Sequence, residues 1–256
     1  MMRSANPALN PQTFTRFPST VVGTEKMTIR GTVNKTSFLL LIVVAAAAWS
    51  WNQSLVSSAE GWQAEAVFRP GPWVWIGAIG GFIMALITIF KKHLSPYTSP
   101  AYALLEGLFL GAVSAGFEVR FPGIVMQAIL GTFGTLFALL AAYRSGLIRA
   151  TENFKLGLVA ATGGICLVYL VTFVLGFFGT TIPYIHDSGA IGIGFSVFVV
   201  VIAALNLVMD FDFIESGEAA GAPKYMEWYA AFGLLVTLIW LYLEILRLLS
   251  KVRSRR

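Results

Sequence analysis

The sequence predicts an all-α integral membrane protein with seven transmembrane helices, on two observations: its composition and the length of its apolar stretches. Of its 256 residues, 57% are hydrophobic and only 12% are charged, and the mean hydropathy is +0.74. Soluble domains carry roughly 25% charged residues, and a soluble globule of this size needs polar groups to cover its surface. A water-soluble globular domain is therefore excluded.

Seven apolar stretches are long enough to cross a bilayer, whose ~30 Å hydrocarbon core requires about 20 residues of helix. None of them alternates strictly between apolar and polar residues, and each is about twice as long as a membrane β-strand. We expect a seven-helix membrane domain over residues 36–250, with spans over residues 36–55, 73–90, 101–117, 121–143, 157–178, 190–209 and 225–249.

The spans differ in the polar and charged residues that they contain. The first contains the continuous apolar run from Phe38 to Trp49, and Thr88 is the only clearly polar side chain of the second. The fourth, fifth and sixth spans carry no charged residue. Carboxylates occur only in the third span, at Glu106, and in the seventh, at Glu227 and Glu244.

The two ends of the chain are polar. Residues 1–35 contain three prolines and no apolar stretch that could form the core of a signal peptide, so we predict a flexible tail there, and a short basic tail over residues 251–256. Most Lys and Arg residues lie on the side of residues 1–35, whereas the opposite loops hold only Arg69 and Arg120. Because positive residues favour the cytoplasmic side, the N-terminus is predicted to be cytoplasmic.

An odd number of spans places the basic C-terminal tail on the opposite side, against the positive-inside tendency. Either the seventh segment spans the membrane fully, or it re-enters and returns the tail to the cytoplasm. Its length of roughly 25 residues, at about 1.5 Å per residue, favours a full span.

Several function classes are not expected. The net charge of +5 comes from the tails and from loops beside spans, so nucleic-acid binding is not predicted. The single cysteine, Cys166, lies in an apolar run and is predicted to be a small buried side chain. His93 and His186 fall in loops on opposite sides, and the sequence has no Gly-x-Gly-Asp motif, so we do not expect an enzyme.

The functional prediction depends on carboxylates inside the spans. An Asp at the centre of a span costs at least ~2.5 kcal/mol, so such groups usually face the interior of the bundle. Glu106 lies beside Gly107 and Gly111, whose spacing allows a neighbouring helix to approach closely. Glu106 is a pathway candidate, although pairing with Lys91 or Lys92 at the interface explains it equally well.

Asp210 and Asp212 stand at the end of the sixth span. They point about 200° apart on a helix, so they cannot both face the same cavity. Asp210 directly follows Met209 and is predicted to face inward. Asp212 is a second candidate, although with Glu215 and Glu218 it also fits a solvated acidic loop.

Glu227 and Glu244 are the carboxylates of the seventh span. Each has a structural alternative, because Glu227 can pair with Lys224 and Glu244 with Arg247 at a spacing of three residues. The two glutamates are separated by about 25 Å along a helix, so they cannot share one site.

Glu106, Asp210 and Glu227 all fall near the predicted cytoplasmic ends of their helices, and we predict a carboxylate cluster there, with Glu244 isolated at the opposite side. Carboxylates close together in a low-dielectric site can share a proton, so protonation becomes a switch. The ionised cluster of Asp210, Glu106 and Glu227 can bind a hard cation such as Ca²⁺ transiently through oxygen ligands. We expect no resident cofactor.

The chain also contains five extended motifs, at residues Asp210–Ile214, Leu241–Leu249, Glu106–Gly111, Phe121–Ala128 and Gly221–Tyr229. These motifs resemble those of the Bax inhibitor family (transmembrane Bax inhibitor motif), specifically its bacterial YccA-like branch. The resemblance covers roughly residues 30–250. It implies a central last helix surrounded by the other six, and a location in the bacterial inner membrane.

For characterised relatives, the resemblance implies a pH-sensitive calcium leak whose sensor is a pair of aspartates, in the sixth and seventh helices. The first aspartate of this pair corresponds to Asp210. The second position holds Thr237 here, so Glu227 or Glu244 would have to replace it, and the common depth favours Glu227. The branch is also linked to modulation of a membrane-bound protease. That link implies an alternative, a non-conducting regulator that binds a membrane partner through residues 1–35.

Overall fold

A computed structural model describes residues 25–57, 66–179 and 189–255. Residues 1–24 of the predicted tail, His186 and Arg256 lie outside the described residues. Seven helices in the described part are long and apolar enough to cross a membrane, which confirms the predicted number of spans. They are α1 Ile29–Ser54, α2 Pro72–Phe90, α3 Ser95–Arg120, α4 Ile124–Arg144, α5 Glu152–Phe177, α6 Ala190–Ala219 and α7 Met226–Ser254.

The helices are distributed over two compact units. The N-terminal unit consists of the described residues up to Val125 together with Gly217–Leu235, and so contains α1, α2, α3 and the first part of α7. The C-terminal unit consists of Met126–Ser216 and the described residues from Val236 onward, and so contains α5, most of α4 and α6, and the remainder of α7.

Helix α1 begins earlier than predicted, because its first turn is capped. Thr28 is the N-cap residue, and its hydroxyl accepts a hydrogen bond of 3.0 Å from the backbone N–H of Gly31. The preceding residue, Met27, is 1% exposed, and Lys26 forms an antiparallel bridge with Pro223. The prediction of a flexible tail was therefore wrong for residues 25–35.

Helix α6 extends beyond Met209, the predicted end of its span, as far as Ala219. Phe211, Phe213 and Ile214 are buried, so the acidic segment is an amphipathic helix and the prediction of an acidic loop was wrong. The helix ends where Gly221 adopts a φ of 63°, with its N–H donating to the carbonyl of Glu218 at 2.9 Å.

Helix α7 also runs past its predicted end, so most of the predicted C-terminal tail is helical. A short antiparallel pair, β1 Leu55–Ser57 and β2 Ala66–Phe68, follows α1. The sequence analysis did not predict this hairpin, since three-residue strands are too short to produce a periodic pattern.

Small residues bring helices of the N-terminal unit close together. A Cβ atom on Gly107 of α3 would lie 2.6 Å from the carbonyl oxygen of Val43 in α1, and one on Gly77 of α2 would lie 2.6 Å from that of Leu105 in α3. The Ser50 hydroxyl donates to the Leu108 carbonyl at 2.6 Å across the α1–α3 contact. The predicted close approach at Gly107 is thus confirmed.

An apolar cluster forms the core of the C-terminal unit. Its buried members come from α5 and α6, and the aromatic rings of Tyr169, Phe195 and Trp240 pack around them. Along α6, Val199 and Ile202 lie between two polar side chains, Ser196 and Asn206. The buried members are Leu158, Ile165, Val199, Ile202 and Met209.

Candidate functional site: carboxylates of the membrane helices

Asp210 lies on the buried face of α6, with 1% of its surface exposed. One turn earlier on the same face, the Asn206 amide donates to the Thr162 hydroxyl of α5 at 3.0 Å and to the Ile202 carbonyl at 2.8 Å. This part of the C-terminal unit therefore keeps polar groups inside the protein. Because an interior carboxylate is costly in a membrane helix, Asp210 is the strongest functional candidate of this unit.

Asp212 has a different environment from Asp210. Its carboxylate accepts a hydrogen bond from Lys155 of α5 at 2.7 Å and is 28% exposed. One turn later, Glu215 accepts a hydrogen bond of 2.6 Å from the hydroxyl of Tyr143 in α4. These contacts tie the acidic end of α6 to α4 and α5.

Glu244 is buried on α7 and bound by two donors. The Tyr169 hydroxyl lies 3.0 and 3.1 Å from its two oxygens, and Arg247 donates to it at 2.7 Å. Arg247 also donates to the Tyr169 hydroxyl at 2.7 Å. The alternative that Glu244 pairs with Arg247 is confirmed, and the half-buried Tyr169 completes a triad with the buried Glu244 and the more exposed Arg247.

Glu227 is fully buried at the start of α7, where it binds the N-terminus of α1. The backbone N–H and the hydroxyl of Thr28 each donate to Glu227 Oε1 at 2.9 Å, and Lys35 forms an ion pair with Oε2. Lys224 also lies 3.4 Å from Oε1, as the sequence alternative predicted. A carboxylate at a helix N-terminus complements both the free N–H groups and the helix dipole.

Further contacts hold the segment before α1 in the same place. The Met27 N–H donates to the Ala222 carbonyl at 2.7 Å, and the Ile29 N–H donates to the Glu218 carboxylate at 2.9 Å. We call this set the N-terminal clamp, and define it as residues 25–29 and Lys35 with Glu218 and residues 222–227. In the clamp, the Glu227 carboxylate accepts hydrogen bonds from Thr28 and forms an ion pair with Lys35.

Glu106 is half-buried in α3 and faces α2. A Cβ atom on Gly81 of α2 would lie 2.8 Å from Glu106 Oε2, so the carboxylate packs directly against this glycine. Lys92, one of its two proposed partners, lies over the ring of Tyr229 with its ammonium 5.3 Å from the ring centroid.

The predicted carboxylates divide between the two compact units. Glu106 and Glu227 belong to the N-terminal unit, where one faces α2 and the other caps α1. Within residues 25–57, 66–179 and 189–255, no group of three or more His, Cys, Asp or Glu side chains could hold a metal ion. The Ca²⁺ site of Asp210, Glu106 and Glu227 stays a prediction, since Asp210 belongs to the C-terminal unit and the two glutamates to the N-terminal unit.

Cys166 is exposed, so the prediction that it is buried was wrong. The buried positions of α5 are Leu158, Thr162 and Ile165, and Cys166 follows the last of them, about 100° further around the helix. Its face of α5 also exposes Leu167 and Leu170, as expected of a helix in contact with lipid.

Sequence reasoning missed the partners of the predicted carboxylates. Lys35 was used only as a topology signal, although it pairs with a glutamate 192 residues away. Tyr169 and Thr162 lie inside an uncharged span, where nothing distinguishes them from other polar side chains of a membrane helix. Lys251 was assigned to a tail, but it is 6% exposed and bonded to α6. Lys251 lies seven residues after Glu244 and therefore on the same helix face, and this spacing could have indicated that Lys251 is buried.

A family described as Bax inhibitor 1 like matches residues 6–254, which is nearly the whole chain. No curated protein matches the sequence.

Proposed function

Because the chain belongs to the Bax inhibitor 1 like family of membrane proteins, we propose that it is a pH-sensitive leak pathway for cations, Ca²⁺ and also H⁺, in the bacterial inner membrane with a cytoplasmic N-terminus. The observation that carries this proposal is the carboxylate of Asp210, which is buried on α6, a helix long and apolar enough to cross a membrane. The resemblance that assigns the first sensor aspartate to this position supports the same residue.

The polar groups of the C-terminal unit support a route along α6. Asn206 and Thr162 lie one turn from Asp210, and the Glu244 triad lies further toward the end of α7. Between Ser196 and Asn206, the apolar side chains of Val199 and Ile202 exclude water, and an apolar constriction of this kind closes a pathway by dewetting. Conduction therefore requires this cluster to open.

Protonation of Asp210 supplies the pH dependence. The ionised carboxylate binds a divalent cation strongly, and an ion that is held too strongly leaves slowly. Protonation removes the negative charge, so a cation passes without being trapped. Leak is therefore expected to rise as the pH falls.

The other predicted carboxylates have secondary roles in this proposal. Asp212, with Lys155, and Glu244, with Tyr169 and Arg247, flank the route as paired charges that set the local potential. Glu106 is the candidate of the N-terminal unit. Glu227 acts through the clamp by fixing the start of α1, because its oxygens already have donors.

Purified protein in liposomes tests the proposal. Ca²⁺ entry, read by a trapped indicator dye, should be faster than in protein-free liposomes and should increase from pH 8 to pH 5. A flux equal to that of protein-free liposomes over this whole range would remove the proposed function.

A second candidate function is regulation of a membrane protease or another membrane partner without conduction. The observation that favours it is the clamp, since residues 25–27 are bonded to residues 222–224, so a partner bound to the preceding residues is held beside this loop. Deletion of residues 2–24 should then abolish partner association while the seven-helix domain stays folded. Undiminished association would exclude docking through these residues.

A further inference from the structure

A buried lysine occupies the other end of the C-terminal unit. Lys251 lies near the end of α7 with 6% of its surface exposed, and its ammonium donates to the Ser196 hydroxyl at 2.9 Å and to the Gly192 carbonyl at 3.1 Å. Both acceptors belong to the first turns of α6, and Ser196 is itself 1% exposed. An ionisable group inside a membrane helix is costly, so its retention calls for a functional explanation.

Lys251 contacts the same face of α6 that carries Asp210. The buried residues of this face recur at alternating spacings of three and four, which keeps them on one side of a helix. Ser196 and Asp210, at its two ends, are separated by about 21 Å along the helix axis. The face consists of Ser196, Val199, Ala203, Asn206 and Asp210.

The end of α7 is rich in positive charge. Lys251 lies seven residues after Glu244 and therefore on the same helix face, about 10 Å further along. Glu244 is the only carboxylate of α7 after Val236, and Arg247 already pairs with it at 2.7 Å. An ion on a route along this face passes Asp210 at one end and a buried ammonium at the other.

We propose that the buried ammonium of Lys251 is a charge barrier in the cation pathway, and that it discriminates against divalent relative to monovalent cations. This inference rests on the proposed function and adds a determinant of ion selectivity to it. The repulsion between a fixed charge and an ion is proportional to the charge of the ion. A buried charge is also screened by salt much less than an exposed one, so the effect persists at physiological ionic strength.

Proportionality to charge gives a quantitative test. If neutralising Lys251 multiplies the flux of K⁺ by a factor, it should multiply the flux of Ca²⁺ by about the square of that factor. A rise of about threefold for K⁺ would accompany a rise of about tenfold for Ca²⁺. A loss of packing, in contrast, widens the route for both ions by similar factors.

The experiment measures K⁺ and Ca²⁺ flux in liposomes at one pH and one ionic strength for the wild type, Lys251→Met and Lys251→Gln. Lys251→Gln keeps a polar group that can bond Ser196, so it remains informative if the methionine variant does not fold. Ser196→Ala removes one acceptor and leaves the charge, and Lys224→Met removes a lysine of the N-terminal unit whose side chain is 43% exposed. Both controls should leave the ratio of Ca²⁺ to K⁺ flux unchanged.

Each result decides the matter. A larger rise for Ca²⁺ than for K⁺ in both Lys251 variants, absent from both controls, supports the barrier. The barrier is overturned if the Lys251 variants leave both fluxes unchanged or change them by equal factors. It is also overturned if Ser196→Ala changes the ratio of Ca²⁺ to K⁺ flux as much as Lys251→Met does. In both cases the wild-type leak remains. Fluxes equal to those of protein-free liposomes in every variant overturn the proposed function and the barrier together.

Discussion

Neutralising Glu227 should destabilise the protein, because this residue joins the start of α7 to the start of α1. Glu227→Gln keeps the shape of the side chain and an oxygen that can accept from Thr28, but it loses the ion pair with Lys35. The glutamate side chain is 0% exposed and that of Lys35 is 17% exposed, so the lysine loses its partner in a poorly hydrated place.

The burial of this ion pair sets the size of the expected loss in the free energy of unfolding. Removing one partner of a buried ion pair costs about 3–5 kcal/mol, and hydrogen bonds to charged groups contribute about 1.5–3 kcal/mol. Since Lys35 is partly exposed, we expect Glu227→Gln to lower the free energy of unfolding by about 2–3 kcal/mol. For a chain of this length, that corresponds to a melting temperature lower by about 5–10 °C.

A double-mutant cycle measures the pair itself. Unfolding of the wild type, Glu227→Gln, Lys35→Met and the double variant in detergent should give a coupling energy of about 1.5–3 kcal/mol. The matched control is Glu25→Gln, because Glu25 lies 3.5 Å from Lys224 with both side chains well exposed, and its loss should cost less than about 1 kcal/mol. A coupling energy below about 0.5 kcal/mol would refute the role assigned to the clamp.

Two further predictions concern helix packing and the triad of Glu244, Tyr169 and Arg247. Gly111→Ala should destabilise the protein by about 1–3 kcal/mol in the same unfolding assay, because the added methyl group meets the backbone of Ala47 in α1; the change Gly134→Ala, where the added Cβ meets nothing within 4 Å, should be neutral or stabilising, and equal effects of the two would contradict the packing. Tyr169→Phe should cost about 1–3 kcal/mol, because it removes the hydroxyl that joins Glu244 to Arg247; an unchanged melting temperature would show that the triad does not stabilise the fold.

Local patterns in the sequence predict several features of the structure. The seven spans follow from apolar length, and the Glu244–Arg247 pair follows from a helical spacing of three residues. Asp210 could be predicted as buried because it continues the apolar span without a break, while Asp212 points to another side of the helix.

Features that depend on tertiary contacts could not be predicted. Nothing near Lys35 or Glu227 in the sequence indicates that they meet, and Lys251 becomes a buried group only through its contact with α6. The charged residues after Met209 conceal the extension of α6, in which the buried positions Asp210, Phe213 and Ile214 recur at the helical spacings of three and four.

The central claim is that Asp210 sets the pH dependence of a cation leak, and one comparison tests it directly. Ca²⁺ flux into liposomes is measured from pH 5 to pH 8 for the wild type, Asp210→Asn and Asp212→Asn. Asparagine resembles the protonated carboxyl, so Asp210→Asn should conduct at the high, acidic-pH rate throughout, while Asp212→Asn keeps the rise toward low pH. An Asp210→Asn variant with the pH dependence of the wild type would contradict the account.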